Sequence, residues 1–172
     1  MRKRLMLLPL MLMAVMSISA QSIIGTWKSA TTTDSDGDKQ SYAFTFNQGT
    51  KCTWAFIMET KDPDVGLFEF QLDIPGTYTQ KGNTLNVHFD VKKAKGKITR
   101  MDLKGELAEA VKGNPEMKKT VEAMAQQLVD KEIKQGFKDE TPFDGDVQIK
   151  KLTDTQLQLS DGDDDVQFTR VK

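Results

Sequence analysis

The sequence predicts a mainly β protein: an up-and-down antiparallel β-barrel of about eight strands, with a two-helix insertion between strands five and six. Three observations carry this. Apolar and polar residues alternate with period two over a series of short runs. Most of these runs are joined by hairpin-sized turns rich in Gly, Asp and Asn. Between Lys92 and Glu140 the period switches from two to about 3.6, and after Pro142 the alternation returns.

The 172 residues begin with a leader. Arg2-Lys3-Arg4 is a positive start, Leu5 to Val15 is apolar, and Ser17 to Ala20 supplies small residues for cleavage, the order of a secretory signal peptide. The apolar run is shorter than the roughly 20 residues that cross a bilayer. A retained anchor is the competing reading. Cleavage after Ala20 leaves residues 21–172 as one domain, and takes the formal net charge from −1 to −4. That mildly acidic surface does not suggest nucleic acid as a partner, and no arginine-aromatic interleaving argues for it. Cys52 is the single cysteine, so no internal disulfide can form and none is available at the cleavage site for lipidation. A periplasmic or secreted protein with no transmembrane segment after cleavage is expected.

The strands follow in order. Ile24 to Ser29 is the first, with Thr31 to Thr33 as an extension before the turn Asp34-Ser35-Asp36-Gly37-Asp38. Ser41 to Asn47 places Tyr42, Phe44 and Phe46 on one face. Lys51 to Thr60 does the same with Cys52, Trp54, Phe56 and Met58. Gly66 to Gln80 carries Phe68, Phe70, Leu72 and Ile74 in phase, with a bend at Pro75-Gly76. Thr84 to Val91 turns Leu85, Val87, Phe89 and Val91 inward.

The insertion, helical over about 98–138, comes next. Asp102 is placed to cap a short helix bearing Leu103, Leu107, Ala110 and Val111, ended by Gly113. Asn114-Pro115-Glu116 starts a second helix, running to about Gln135 with Gly136 as its stop. Its apolar stripe is Met117, Val121, Met124 and Leu128. The chain closes with strands at Asp146–Leu152, Gln156–Ser160 and Asp165–Val171, the last with Val166, Phe168 and Arg170 in phase. Eight strands that close on themselves remove both sheet edges, and enclose an interior that side chains can fill or that can hold one small ligand.

Gly25-Thr26-Trp27 on the first strand resembles the lipocalin and wider calycin signature, as it occurs in small bacterial lipocalin-like domains. Gly76-Thr77-Tyr78-Thr79 followed by Gly82-Asn83-Thr84-Leu85 is similar to a hairpin of those domains. The resemblance implies that Trp27 plugs the closed end of the barrel and that a basic residue of the last strand, here Arg170, packs across it. The meander agrees, since it puts the start of the first strand and the end of the last at one end. The insertion departs from the common lipocalin plan, in which the helix follows the last strand.

In such a meander the insertion begins and ends at the open mouth. Met117, Val121, Met124 and Leu128 are then the inner face of a lid over a lipophilic cavity, or of a helix permanently packed on the barrel. At about 1.5 Å per residue a helix of some twenty residues is ~30 Å long, longer than a small barrel is wide. The candidate cavity lining is Tyr42, Phe44, Trp54, Phe56, Phe68, Phe70 and Phe89, which equally suits a filled core. Asp34, Asp36 and Asp38 in the first loop, and Asp161, Asp163, Asp164 and Asp165 in the seventh, lie on neighbouring connections. They are solvated turn residues or a calcium site without EF-hand spacing. His88 is the single histidine and points outward. No nucleophile elbow, phosphate loop or paired-carboxylate motif is present, so neither a catalytic site nor a cofactor is expected. The expected function is reversible binding of a small hydrophobic molecule; the alternative is a filled-barrel interaction module.

Overall fold

A computed structural model describes residues 22–136, 142–162 and 165–172. Residues 1–21, where the leader is expected, lie outside these residues, as do Asp163 and Asp164. Ten strands and two helices follow one another. They are β1 (Gly25–Ser29), β2 (Thr32–Thr33), β3 (Lys39–Phe46), β4 (Lys51–Asp62), β5 (Gly66–Lys81), β6 (Thr84–Phe89) and β7 (Lys95–Leu103). Helices α1 (Gly105–Val111) and α2 (Pro115–Gly136) come next, then β8 (Gly145–Leu152), β9 (Gln156–Ser160) and β10 (Asp165–Arg170).

Eight of the strands form a closed antiparallel ring in the order β1, β10, β9, β8, β6, β5, β4, β3 and back to β1. The seam between the first and last strands pairs Trp27 with Arg170 and Ser29 with Phe168. Each strand turns its alternating apolar set inward. Trp27, Phe44, Trp54, Leu72, Ile74, Leu85, Val87, Leu157, Leu159 and Phe168 are all fully buried there. Phe143, just before β8, completes the core. Its ring meets Phe44 at 5.8 Å and Phe168 at 6.3 Å, edge-on in both cases. This packing holds it at φ 65°, a conformation costly for a residue with a Cβ.

The insertion differs from the sequence expectation. The helices sit between β7 and β8, not directly after the fifth strand, because the chain forms two strands beyond the barrel's eight. The short β2 pairs with the start of β3, and β7 pairs with the first half of β5. Residues 98–103, read as the start of the helical stretch, are therefore extended, within the strand Lys95–Leu103. Asp102 does not cap α1: it lies in β7 in an ion pair with Arg100, and Lys104 takes the cap position.

The physical cause is the length of β5. Its sixteen residues outrun β6, which pairs only with Gly76–Lys81. The chain steps through one 3₁₀ turn at Val91–Lys93 and continues as β7 along the rest of the same edge. Gly66 marks how closely the two strands meet, at φ 129°, since a Cβ there would collide with the Asp102 carbonyl. Strands β4, β5 and β7 thus form a three-stranded ribbon, flanked by β3 as far as Glu59 and running beyond it at Thr60–Asp62 and Gly66–Phe68.

Helix α2 begins as its sequence dictates. Asn114 Oδ1 accepts a hydrogen bond from the Met117 backbone N–H at 3.1 Å, Pro115 occupies the first turn, and Glu116 faces the positive end of the helix dipole. The helix packs against β7 and α1. Gln126 Nε2 donates to the Gly96 carbonyl at 2.9 Å, tying α2 to the β7 backbone. Val129 reaches the barrel core.

Candidate functional site

The two ends of the barrel differ in kind. At the closed end, the Trp27 indole N–H donates to the Ile23 carbonyl at 2.7 Å. The Arg170 guanidinium lies over the indole, its Cζ 4.1 Å from the ring centroid. It donates to three carbonyls: Ile24 and Ser22 at 2.7 Å, and Asp154 at 2.8 Å. Gly25 makes room for this arrangement. At φ 132° it has a backbone that side chains rarely tolerate, and a Cβ would sit 2.7 Å from Arg170 Nη1. Gly25, Trp27 and Arg170 are thus one structural unit, a plug.

At the other end, the aromatic residues form a continuous wall running outward from the core. Tyr42 stacks on Trp54 at 5.6 Å, Trp54 on Phe56 at 6.3 Å, and Phe56 meets Phe70 edge-on at 6.3 Å. Beyond Phe70 the ribbon has no barrel opposite it. Helix α2 supplies the opposing surface instead, and the two flank an open apolar cavity of about 470 Å³. The ribbon contributes Thr60, Phe68, Glu69, Phe70 and Ile98; α1 contributes Leu107; α2 contributes Val121, Met124, Ala125 and Val129. The α2 positions recur at three and four residues, so they share one face. Met124 lines the cavity while 61% exposed, so the cavity opens to solvent beside it. Glu69 is engaged at its carboxylate by the Thr99 hydroxyl at 2.6 Å.

The structure therefore brings together Phe68, Phe70, Val121 and Met124, four of the expected binding residues. Phe44 and Trp54 sit in the filled core, and Tyr42, Phe56 and Phe89 are half-buried between core and mouth. Met117, expected on the same helix face, is 43% exposed and outside the lining. The Leu128 side chain lies outside the described residues. Ile98 was not singled out from sequence, and Leu107 was read only as part of the apolar side of the short first helix; both line the cavity beside β5 and α2.

A second concavity of about 820 Å³ runs past Cys52, Pro75, Gly76, His88 and Phe89, with Lys51, Lys92, Lys93 and Asp90 at its margins. It is larger and has apolar walls at Cys52, Pro75, Phe89 and Val91, but these are mixed with polar and charged side chains, whereas the cavity beside α2 is almost wholly apolar. Lys93 is spent on Asp90 at 2.7 Å, which holds that carboxyl below its usual range, and His88 faces Asp144 at 3.7 Å. Burial pushes the Cys52 thiol up to about 11, so it is no nucleophile at neutral pH.

The aspartates of the first loop act within their own turn. Asp34 Oδ1 accepts from the backbone N–H groups of Asp36 at 3.0 Å and Asp38 at 2.9 Å. Asp165 accepts from Gln158 Nε2 at 3.3 Å. Among the described residues no three His, Cys, Asp or Glu side chains converge as a metal site requires. No helix among them is long and apolar enough to cross a membrane. No protein-family model matches the chain, and no curated protein or solved structure is significantly similar to it.

Proposed function

We propose that this protein binds a small hydrophobic molecule without performing chemistry on it. The site is the cavity between the β4–β5–β7 ribbon and α2. On this reading the chain is an exported lipocalin-like carrier of the bacterial envelope, its leader removed after Ala20. The observation that carries the proposal is the cavity itself. Its walls are apolar apart from Thr60 and Glu69, and its volume of about 470 Å³ lies within the ~300–1,000 Å³ of small-molecule pockets. Affinity would come from apolar surface removed from water, at about 25 cal/mol per Å² before ordering costs.

The filling of the barrel by Trp27, Phe44, Trp54 and Phe168 favours a second reading. The barrel is then a rigid scaffold, and the ribbon with its helices contacts another protein.

Native mass spectrometry of the protein from its own host, before and after organic extraction, separates the two. A discrete adduct removed by extraction supports the carrier. The carrier reading is abandoned if there is no adduct and if neutral and charged lipids all fail to raise the melting temperature. Val121→Asp sets a carboxylate into the apolar wall, and is expected to weaken ligand binding at least tenfold while the barrel's circular dichroism stays unchanged.

A further inference from the structure

The cavity wall contains one sulfur, and that sulfur is within reach of solvent. Of the four methionines among the described residues, Met58 and Met101 are half-buried in strands, whereas Met117 and Met124 are exposed on α2 at 43% and 61%. Only Met124 also lines the cavity. A thioether needs no deprotonation to react, so exposure alone governs which methionine an oxidant meets first. The single thiol offers no competing sink: Cys52 is 2% exposed and stays protonated at neutral pH.

We propose that Met124 is an oxidation site whose modification empties the cavity, an inference that rests on the hydrophobic-ligand reading above. The reaction is a two-electron transfer of oxygen. A peroxide O–O bond breaks, its electrophilic oxygen forms an S=O bond with the Met124 sulfur, and the other oxygen leaves as water. The sulfur is oxidised and the peroxide reduced. The product places a strong dipole on a wall where, besides the engaged Glu69, only the Thr60 hydroxyl is polar. A bound apolar molecule would then have to desolvate the sulfoxide without giving it a hydrogen bond, which costs affinity. The barrel core is not expected to take part, because Met124 is 61% exposed on a helix with no fully buried residue among its described side chains.

The test uses dilute hydrogen peroxide and N-phenyl-1-naphthylamine, an uncharged fluorescent probe. Peptide mapping is expected to show oxygen gained at Met124 and Met117 before Met58 and Met101. Probe affinity is expected to fall about tenfold or more after oxidation, with circular dichroism unchanged, and methionine sulfoxide reductase should restore it. Met124→Leu removes the sulfur at similar volume; whatever its starting affinity for the probe, that affinity should be the same before and after peroxide. Met117→Leu should remain as sensitive as the parent. Undiminished binding with Met124 oxidised overturns the inference alone, as does equal peroxide sensitivity in Met124→Leu. Failure of the unoxidised protein to bind the probe, or any lipid in the titration above, overturns the carrier reading and this inference together.

Discussion

Arg170 serves the barrel through geometry more than through charge. Its planar fork reaches three carbonyls from β1's approach and the β9 approach, while its flat face covers Trp27. Arg170→Ala strips partners from three carbonyls, and is expected to cost about 2–4 kcal/mol in urea denaturation. Arg170→Lys should recover little of that, since an ammonium has no fork. Cys52 yields a pH signature. Its thiol is raised from 9.0 to about 11 by burial, so the folded state favours the protonated form. That contribution is intact below about pH 9, where the unfolded thiol is also protonated, and is lost as pH rises toward about 11. Denaturation midpoints should therefore fall over this window, and Cys52→Ala should flatten this part of the decline. The plug was legible because a Gly-x-Trp and an in-phase arginine are sequence patterns with a geometric cause. Phe143 was not legible. It stands alone after Pro142 in a polar loop, with no periodicity to mark it as core.

Among the elements, the barrel strands announced themselves, because burial of one face imposes a clean period of two. Strand β7 did not. Its half-buried apolar positions Ile98, Met101 and Leu103 are spaced three and two apart, with lysines at 95 and 97, and the ladder to β5 slips at Glu69/Phe70. A bulge of this kind breaks the alternation, and what remains mimics a helical spacing. The cavity was hidden for a related reason. Alternation tells which face of β4 and β5 is apolar, but not that both strands outrun their barrel neighbours. Helix α2 is attached by one face and has no fully buried residue among its described side chains. Its amides are expected to exchange with deuterium well before those of β4 and β9. Asn114→Ala removes the bond to the Met117 N–H, and should cost about 1 kcal/mol of helix stability. That loss would appear as faster exchange in the first turns of α2 with no change in the barrel.

At the scale of the whole molecule, division of labour separates a sealed barrel from a loosely covered ribbon. On the proposed carrier reading, mutations that loosen α2 should change probe exchange rates without moving the global melting temperature, a separation that stopped-flow probe release and calorimetry can check together. The seam between β1 and β10 also bears on the order in which the chain assembles. The hairpins β3–β4 and β4–β5 join residues close in sequence, whereas the seam pairs Trp27 with Arg170 across nearly the whole chain. Loop-closure entropy delays such a contact until the intervening strands are in place. Each of the two tryptophans watches one of these events. Trp54 lies in a hairpin and Trp27 at the seam, so with the other replaced by Phe, refolding followed through Trp54 should run ahead of refolding followed through Trp27. Identical rates would mean that the ring closes in the same step that forms its hairpins.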